Sequence, residues 1–472
     1  MTRNNNQEAV PLERRERNPL INGAGYRNFR RIQEHPAAPR WNYVVGDRLQ
    51  AEDLPAVEAF REAVFTAPRQ TAAAPPEWLP AWVRAMRERS PIFRERLPEG
   101  FDLERDWGYV PTMSREDLAV RPEDVVPVDA DLSRLIVYDT SGTTGHALVV
   151  PSHPRVMAQH HALVEFALDR HGLKPAFGPD MVACINVCAQ VYTVLFANVF
   201  TVWDQAGFAK VNLSERDWSV SAARRFFPDL APFFLTGDPV GFAEMMRWGI
   251  AVKPAALLST AVSLSPGLAA KLEENYGGPV IDWYSTTETG PLAYSCRAGR
   301  GLHLLAPDVY VEIIDTDGYP KAPGGRGELA VTAGRNPYLP LLRYRTGDFA
   351  RLELGPCPCG DPAPRLVELE GRAAVFFRAH DGAIVNPVDL GRVLRTQALI
   401  QHEFIQRADR SFDLSLRPAP GLTPDLAHLE RGLRVLLGET AAIRISIDPA
   451  LGERLAAGKV RPYQSELDDQ LD

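Results

Sequence analysis

Cysteine is scarce in this chain of 472 residues, which contains only five. The low, odd number argues against a disulfide framework and indicates a reducing compartment, with free thiols or a metal site. A basic surplus is also lacking, because the formal charge is −8, so a nucleic-acid partner is not expected. The first residues, MTRNNNQEAVPLERRERN, lack the apolar core of a secretion signal. This absence predicts a cytoplasmic protein.

An uncharged stretch, VACINVCAQVYTVLFANVFTVW (182–203), is long enough to cross a bilayer. Three amide side chains interrupt it, however, and an aspartate lies close to each end. These polar residues favour a buried helix beside a pocket, so no membrane partner is expected. Cys184 and Cys188 would lie one turn apart on that helix, as part of the core or the pocket wall.

The order of sequence patterns predicts an α/β protein with a large N-terminal domain and a small α+β C-terminal domain. Residues 1–130 show helical periodicity, as in AEDLPAVEAFREAVFTA. Residues 131–369 first alternate short apolar runs with helix-like segments, which predicts sheet layers around parallel strands. They then become rich in β-branched residues around Asp-Gly and Gly-Gly turns, which predicts a β-rich subdomain. Residues 370–472 form the predicted C-terminal domain.

A loop rich in hydroxyl groups follows the apolar run at 135–138, in YDTSGTTGHALVVPSHP. Its central residues are Ser141, Gly142, Thr143, Thr144, Gly145 and His146. Successive N–H groups in such a turn form an anion nest, and hydroxyl groups add donors for phosphate. The glycines are three apart and no Lys-Ser/Thr pair follows, so this is not a P-loop. By itself the stretch is equally compatible with a plain turn.

Two later stretches place a carboxylate after hydroxyl groups. In IDWYSTTETG, Glu288 can hold Mg²⁺ or can be an early acidic residue of a helix capped by threonine. In YRTGDFARL, Asp348 can accept both hydroxyls of a ribose or can belong to an ordinary Gly-Asp hairpin turn. The residues alone leave both pairs of alternatives open.

Four further residues form a candidate metal site. Cys296 and His303 are a Cys-x6-His pair before the predicted hairpins, and Cys357 and Cys359 are a Cys-x-Cys pair after them. A Cys₃His set suits tetrahedral Zn²⁺, and the surrounding Pro and Gly predict a tight knuckle with a structural role. The alternative is three buried thiols and a surface histidine.

The motifs together are more specific than any one alone. Ser-Gly-Thr-Thr-Gly, Tyr-x-x-Thr-Glu, Tyr-x-Thr-Gly-Asp, Gly-Arg and Gly-Lys occur in this order between about 135 and 459. This series resembles the adenylate-forming superfamily, and most closely its phenylacetate–CoA ligase branch. The resemblance implies an ATP- and Mg²⁺-dependent ligase that activates a small, aromatic acid as acyl-AMP and transfers it to CoA. A structural Zn²⁺ site is similar to that of some relatives.

The resemblance also implies roles for single residues. Residues 141–146 match the loop that holds the β- and γ-phosphates of ATP. The other matches are Tyr284 beside the adenine, Thr287 at the α-phosphate, Glu288 at Mg²⁺, Asp348 and Arg372 at the ribose, and Lys459 for the adenylation step. Aromatic residues of the implied acyl pocket are Tyr192, Phe196, Phe233 and Phe234, although plain core packing explains each equally well.

The chain also departs from the family pattern. His146 stands where most relatives have lysine, and Ala373, Ala374 and Val375 replace the usual hinge aspartates after Arg372. These departures leave open a different second step, with an amine, hydroxyl or carrier thiol as acceptor, or with nitrite activated to diazotise an arylamine, as in natural-product pathways. A third alternative is a non-catalytic nucleotide-binding scaffold. A homodimer is a further open expectation.

Overall fold

The chain forms a large α/β region followed by a smaller α+β region. The computed structural model describes residues 10–67, 74–139, 148–190, 192–262, 264–370, 375, 377–394, 396–397, 399–418, 422–451 and 462–467. The helices are α1 (Leu12–Arg17), α2 (Gly23–Gln33), α3 (Leu54–Thr66), α4 (Trp78–Arg89), α5 (Pro91–Arg96), α6 (Arg115–Val120), α7 (Pro122–Val125), α8 (Pro154–Arg170), α9 (Val220–Leu230), α10 (Pro239–Arg247), α11 (Pro266–Tyr276), α12 (Pro387–Leu394) and α13 (Leu426–Leu437).

The strands belong to one large sheet and several small ones. They are β1 (Ile136–Asp139), β2 (Val149–Ser152), β3 (Val182–Cys188), β4 (Phe196–Phe200), β5 (Ala206–Asn212), β6 (Phe234–Gly237), β7 (Ala256–Ser259), β8 (Val280–Thr286), β9 (Gly290–Ser295), β10 (Leu302–Leu304), β11 (Val309–Ile314), β12 (Arg326–Ala333), β13 (Leu341–Glu353), β14 (Arg365–Glu370), β15 (Phe377–Arg378), β16 (Ile384–Val385), β17 (Leu399–Gln406), β18 (Phe412–Pro418), β19 (Ile443–Ile447) and β20 (Tyr463–Ser465). Within the described ranges, twelve strands form one sheet in the order β11-β12-β13-β14-β10-β9-β8-β7-β6-β3-β5-β4.

The large sheet has a parallel half and an antiparallel half, which meet where β8 pairs with β9. Strands β5, β3, β6, β7 and β8 are parallel neighbours, and β4 closes this edge antiparallel to β5. From β8 to β11 every pairing is antiparallel. The predicted α/β class with a β-rich part is therefore confirmed.

Helices cover both faces of the parallel half, which explains the apolar sequences of its strands. Side chains of α2, α9, α10 and α11 pack on one face in a cluster that includes Phe226, Phe242 and Leu272. Side chains of α3 and α8 pack on the other face, with Phe60 and Phe166 among them. The antiparallel half has its own cluster, built with α4 and the loops and short helices that follow it.

The prediction of a buried helix over 182–203 is wrong. The segment forms β3 and β4, joined by the loop at 189–195. A strand covered on both faces is apolar at successive positions, so an uninterrupted apolar run does not distinguish it from a buried helix. Cys184 and Cys188 lie on β3, where both are buried as predicted. No helix within the described ranges is long and apolar enough to cross a membrane.

The apolar runs after residue 131 predict parallel strands, but the first of them, β1, does not belong to the large sheet. It pairs antiparallel with β2 in a separate hairpin, from Ile136–Ser152 to Asp139–Val149. A short apolar run predicts a strand but carries no information about which strand it will pair with.

The C-terminal region has a sheet of its own, in the order β19-β18-β17-β20. Helices α12 and α13 pack on this sheet around Phe377, Phe404 and Phe412. Strand β14, which is the last strand of the large sheet along the chain, ends at Glu370. The boundary near 370 stays a prediction, because residues 371–374 lie outside the described ranges.

Candidate active site

The carboxyl end of β8 brings Tyr284 next to Asp348 of β13. The hydroxyl of Tyr284 donates a 2.9 Å hydrogen bond to Oδ2 of Asp348. Burial, and secondarily the charge of Asp348, raises the pKa of Tyr284 well above its ordinary value. The hydroxyl therefore stays protonated and remains a donor. This contact joins the motif IDWYSTTETG to the motif YRTGDFARL.

Asp348 lies inside the long strand β13, so the alternative of an ordinary hairpin turn is wrong. The strand is irregular at this point because Gly347 has a φ of 76°, a conformation that favours glycine. The N–H of Gly347 donates to Oε1 of Glu328 at 2.9 Å, and the N–H of Asp348 donates to Oγ1 of Thr346 at 3.1 Å. This irregularity at Thr346, Gly347 and Asp348 fixes the direction in which the Asp348 side chain leaves the backbone.

Thr287 and Glu288 lie in the turn between β8 and β9, so the alternative of a helix N-terminus is wrong. A 3.1 Å hydrogen bond from the N–H of Thr289 to Oγ1 of Thr286 closes the turn. Thr287 is exposed. Gly290 follows with a φ of 70°, and a Cβ there would lie 2.5 Å from the ring of a histidine on α8. Gly290 is thus required at this position, because any side chain would strain the backbone and collide with the histidine of α8.

Glu288 is only 8% exposed and accepts two hydrogen bonds on the same oxygen. Nη1 of Arg115, the first residue of α6, donates to Oε1 at 2.9 Å, and the hydroxyl of Tyr344 donates to it at 3.3 Å. Burial, then the charge of Glu288, raises the pKa of Tyr344, which keeps that hydroxyl protonated. We call Arg115, Tyr284, Glu288, Tyr344 and Asp348 the carboxylate edge.

Several predicted site residues lie outside the described ranges. They are Ser141, Gly142, Thr143, Thr144, Gly145 and His146 of the hydroxyl-rich loop, Arg372 after β14, and Lys459 near the C-terminus. The paired strands β1 and β2 flank the loop. The roles implied for these eight residues stay predictions.

The four aromatic residues predicted for the acyl pocket are not gathered in one place. Tyr192 is 68% exposed in the loop after β3, and Phe196 begins β4 with its ring 5.9 Å from that of Phe208. Phe233 and Phe234 lie at the amino end of β6, away from the carboxylate edge. Both pack in the core against α8 and its neighbours. Tyr192 and Phe196 are therefore the pair nearer the carboxyl ends of the parallel strands.

The C-terminal region contacts these carboxyl ends through α12. Nδ2 of Asn386, just before α12, lies 3.2 Å from the carbonyl oxygen of Ala189 and 3.4 Å from Oδ2 of Asp238. Asp238 caps the N-terminus of α10, and burial raises its pKa. Nη2 of Arg392 donates to Oε1 of Gln190 at 3.2 Å. The loops after β3 and β6 are thus bound by the C-terminal region.

The four predicted zinc ligands are brought together. The ligand atoms of Cys296, His303, Cys357 and Cys359 all lie within 4.8 Å of one another. We call this set the Cys/His cluster. The two sulfurs of Cys296 and Cys357 are 3.3 Å apart, and Nε2 of His303 is 3.2 Å from Sγ of Cys359. The alternative of a surface histidine is wrong, because His303 is fully buried.

Neighbouring groups orient the side chains of the Cys/His cluster. Nδ1 of His303 is 3.0 Å from the carbonyl oxygen of Ala363, so it carries the proton and leaves Nε2 as the ligand atom. The N–H groups of Ala298 and Asp361 point at the sulfurs of Cys296 and Cys359, at 3.3 and 3.4 Å. Three thiolates and one imidazole are the donor set of a closed, tetrahedral zinc site.

Comparisons with known proteins agree with this architecture. No protein-family model matches the chain. The phenylacetate-coenzyme A ligase of Thermus thermophilus is 26% identical over 324 residues, which are 63% of this chain and 69% of that protein. The crystal structure of 2-hydroxyisobutyryl-CoA ligase with 2-HIB-AMP and CoA superposes with a TM-score of 0.54, at 18% identity, over 89% of this chain and 91% of that one. The chain is thus similar to a phenylacetate-coenzyme A ligase in sequence and shares the fold of 2-hydroxyisobutyryl-CoA ligase.

Two residues of the carboxylate edge were not predicted from the sequence. Tyr344 opens the motif YRTGD and was therefore in a stretch already singled out. Arg115 lies in the N-terminal region, 173 positions before its partner Glu288. No local pattern marks such a residue, because only the fold brings it to the site.

Proposed function

We propose that this chain is an ATP-dependent ligase that converts a small, aromatic acid into acyl-AMP and then transfers the acyl group to CoA. The observation that carries the proposal is the convergence of Tyr284, Glu288 and Asp348 at one edge of the sheet. These residues match the nucleotide and metal contacts of the superfamily. The similarity to a phenylacetate-coenzyme A ligase supports the ligase class.

The carboxylate edge would bind the nucleoside part of ATP. Asp348 would accept the ribose hydroxyls, because a carboxylate offers several acceptor positions. Its hydrogen bond from Tyr284 fixes the carboxylate and places the tyrosine ring beside the same ligand. The exposed Thr287 would donate to the α-phosphate, which the substrate anion attacks. Positioning supplies most of the catalysis in such a transfer.

Glu288 would hold the magnesium ion that accompanies ATP. A carboxylate oxygen is a preferred ligand of Mg²⁺, and a nearly buried carboxylate presents it in a fixed direction. When bound, the ion offsets the negative charge of the triphosphate. The loop at 141–146 and Lys459 would contact the phosphates, and Arg372 would lie near the ribose.

The Cys/His cluster would hold a structural zinc ion. It joins the residue after β9 and the middle of β10 to the loop between β13 and β14. All four ligand positions come from the protein, so no position is left for a substrate. Zinc would therefore stabilise the antiparallel half of the sheet without entering the reaction.

The acyl pocket would lie near Tyr192 and Phe196, with Phe233 and Phe234 as packing behind it. Both nearer residues border the loop that α12 contacts through Gln190. The C-terminal region would accordingly close over the pocket. We propose an aromatic substrate because the matched branch acts on such acids and these rings can pack against one.

The test is a measurement of pyrophosphate release across aryl acids, amino acids, and nitrite with arylamines, each with and without CoA. Release that depends on an aryl acid, followed by acyl-CoA formation, is expected. Release that depends on no substrate would contradict the ligase function. In the same assay, Lys459→Ala should slow adenylation strongly.

A second candidate keeps the adenylation and changes the acceptor. The observation that favours it is the sequence Ala373-Ala374-Val375 where relatives carry hinge aspartates, together with His146 in place of lysine. Acid-dependent release that CoA never affects would support an amine, hydroxyl or carrier-thiol acceptor. Release that needs nitrite would support diazotisation of an arylamine.

A further inference from the structure

Two donors from distant parts of the chain hold Glu288 on one side. Within the described residues, both hydrogen bonds to its carboxylate end on Oε1: from Nη1 of Arg115 at 2.9 Å and from the hydroxyl of Tyr344 at 3.3 Å. The side chain of Glu288 is 7% exposed and that of Arg115 is 35% exposed. A buried carboxylate requires a counter-charge, and the guanidinium of Arg115 supplies it.

Arg115 is itself fixed relative to the strand that carries Tyr344. Met113 forms a parallel bridge with Tyr344, and its carbonyl oxygen accepts a 2.8 Å hydrogen bond from the N–H of Arg345. Asp117 closes the capping box of α6 and so fixes the helix that begins at Arg115. The guanidinium therefore reaches Glu288 from the fixed start of α6. A residue that positions another side chain needs such a rigid base.

We propose that Arg115 is a positioning residue for the metal ligand Glu288. By occupying Oε1, it fixes the carboxylate and directs Oε2 toward the divalent cation that accompanies ATP. The guanidinium also balances the charge of Glu288 and thereby weakens its attraction for a bare cation. This inference rests on the proposed function, since it assumes that Glu288 holds the metal.

The two effects have opposite consequences when Arg115 is removed. The carboxylate loses its orientation, so Arg115→Ala should slow adenylation by about tenfold or more with little change in the KM for ATP. The carboxylate also loses its counter-charge, so the affinity for Mn²⁺, used as a probe for Mg²⁺, should rise by about threefold or more. A variant that merely damaged the local structure would weaken both properties.

Two further variants separate charge from geometry. Arg115→Lys keeps the charge without the planar fork, so Mn²⁺ affinity should return toward that of the wild type while the rate recovers only in part. Arg121→Ala removes an exposed arginine at the other end of α6, where it pairs with Glu95. This matched control should change neither property.

A double-mutant cycle decides whether Arg115 acts through Glu288. If it does, adding Arg115→Ala to Glu288→Gln should change Mn²⁺ affinity and rate far less than adding it to the wild type. Additive effects, or an Mn²⁺ affinity that stays constant or falls in Arg115→Ala, would overturn the proposal. Electron paramagnetic resonance of the full chain measures Mn²⁺ binding without turnover. A wild type that never releases pyrophosphate would thus refute the proposed function, while the binding measurements would still test Arg115.

Discussion

The carboxylate edge and the Cys/His cluster use their polar groups in opposite ways. At the carboxylate edge, Arg115 donates to Glu288 and Tyr284 donates to Asp348, and the exposed Thr287 lies next to Glu288 in the chain. In the Cys/His cluster, the four ligand atoms face one another around a buried histidine. The first arrangement can receive an external ligand, whereas the second closes on itself. Substitutions at the edge should therefore affect activity more than stability, and substitutions in the cluster should do the reverse.

The largest effect on activity is expected for Asp348→Asn. In the proposed function, the variant would lose charge-assisted hydrogen bonds to the ribose, each worth about 1.5–3 kcal/mol, so kcat/KM for ATP should fall by about 100-fold. The thermal midpoint should change little, because the amide still accepts the hydrogen bond from Tyr284. Initial rates of pyrophosphate release and a thermal melt measure the two quantities.

Asp317→Asn is the matched control for this substitution. Asp317 is exposed in the neighbouring hairpin between β11 and β12. Its variant should retain both activity and stability. A substantial fall in the melting temperature of Asp348→Asn would contradict the comparison between the carboxylate edge and the Cys/His cluster. It would mean that Asp348 is a structural residue.

The largest effect on stability is expected for Cys357→Ser. Loss of one thiolate should release the proposed zinc ion, whose free energy of binding would contribute to folding. The thermal midpoint should drop by about 5 °C or more. Metal analysis of the purified variant should show a corresponding loss of zinc.

Cys188→Ala tests whether the effect belongs to the cluster. Cys188 is a buried thiol on β3 that is not part of the metal set. Its variant should bind as much zinc as the wild type. Equal zinc contents in Cys357→Ser and the wild type would show that the Cys/His cluster does not bind zinc. Its cysteines would then be ordinary buried thiols.

The two regions also differ in how far the sequence predicted them. All four residues of the Cys/His cluster were predicted, because pairs close in sequence bracket the hairpins and the donor chemistry is specific. At the carboxylate edge, Tyr284, Glu288 and Asp348 were predicted from motifs, but Arg115 was not. Its contact depends on how α6 packs against β13, and that packing leaves no pattern near residue 115.

The same limit explains the errors in the fold. The alternation of strands and helices through β7, α11 and β8 was predicted from the apolar runs. In the structure, Ser265 and Pro266 begin α11 and Gly277 ends it. The segment 182–203 was assigned to a helix, because burial on both faces removes the alternation that marks a strand. Alternation of apolar and polar residues therefore fails as a signal where a strand is buried on both faces, and only flanking residues can identify such a strand.

A smaller effect is expected from the pH dependence of Asp282, two residues before Tyr284 on β8. Burial raises the pKa of Asp282 to about 6. Between pH 4 and 6 the unfolded chain loses this proton before the folded chain does, so stability falls as the pH rises. Above pH 6 the free energy of unfolding is therefore about 2–3 kcal/mol lower than at pH 4, because each pKa unit corresponds to about 1.4 kcal/mol.

Asp282→Asn should remove this dependence. Chemical denaturation should show equal stabilities of variant and wild type near pH 4, and a more stable variant at pH 7.5. Asp317→Asn, with an exposed carboxylate, should show no such trend. A variant less stable than the wild type at pH 7.5 would mean that the ionised Asp282 stabilises the carboxylate edge, and the contrast with the Cys/His cluster would weaken.

The smallest effect is expected for Tyr284→Phe, which removes only the hydroxyl that donates to Asp348. The variant keeps the Asp348 carboxylate and loses only a group that orients it, so the KM for ATP should rise by about two- to tenfold, which corresponds to about 0.5–1.4 kcal/mol. The ring would still pack beside the nucleotide. Because burial raises the pKa of Tyr284, its hydroxyl stays protonated in the wild type, and the ratio of the two KM values should be constant from pH 7 to 9. A ratio that falls toward one across this range would show that the hydroxyl ionises, and that Asp348 is held without it.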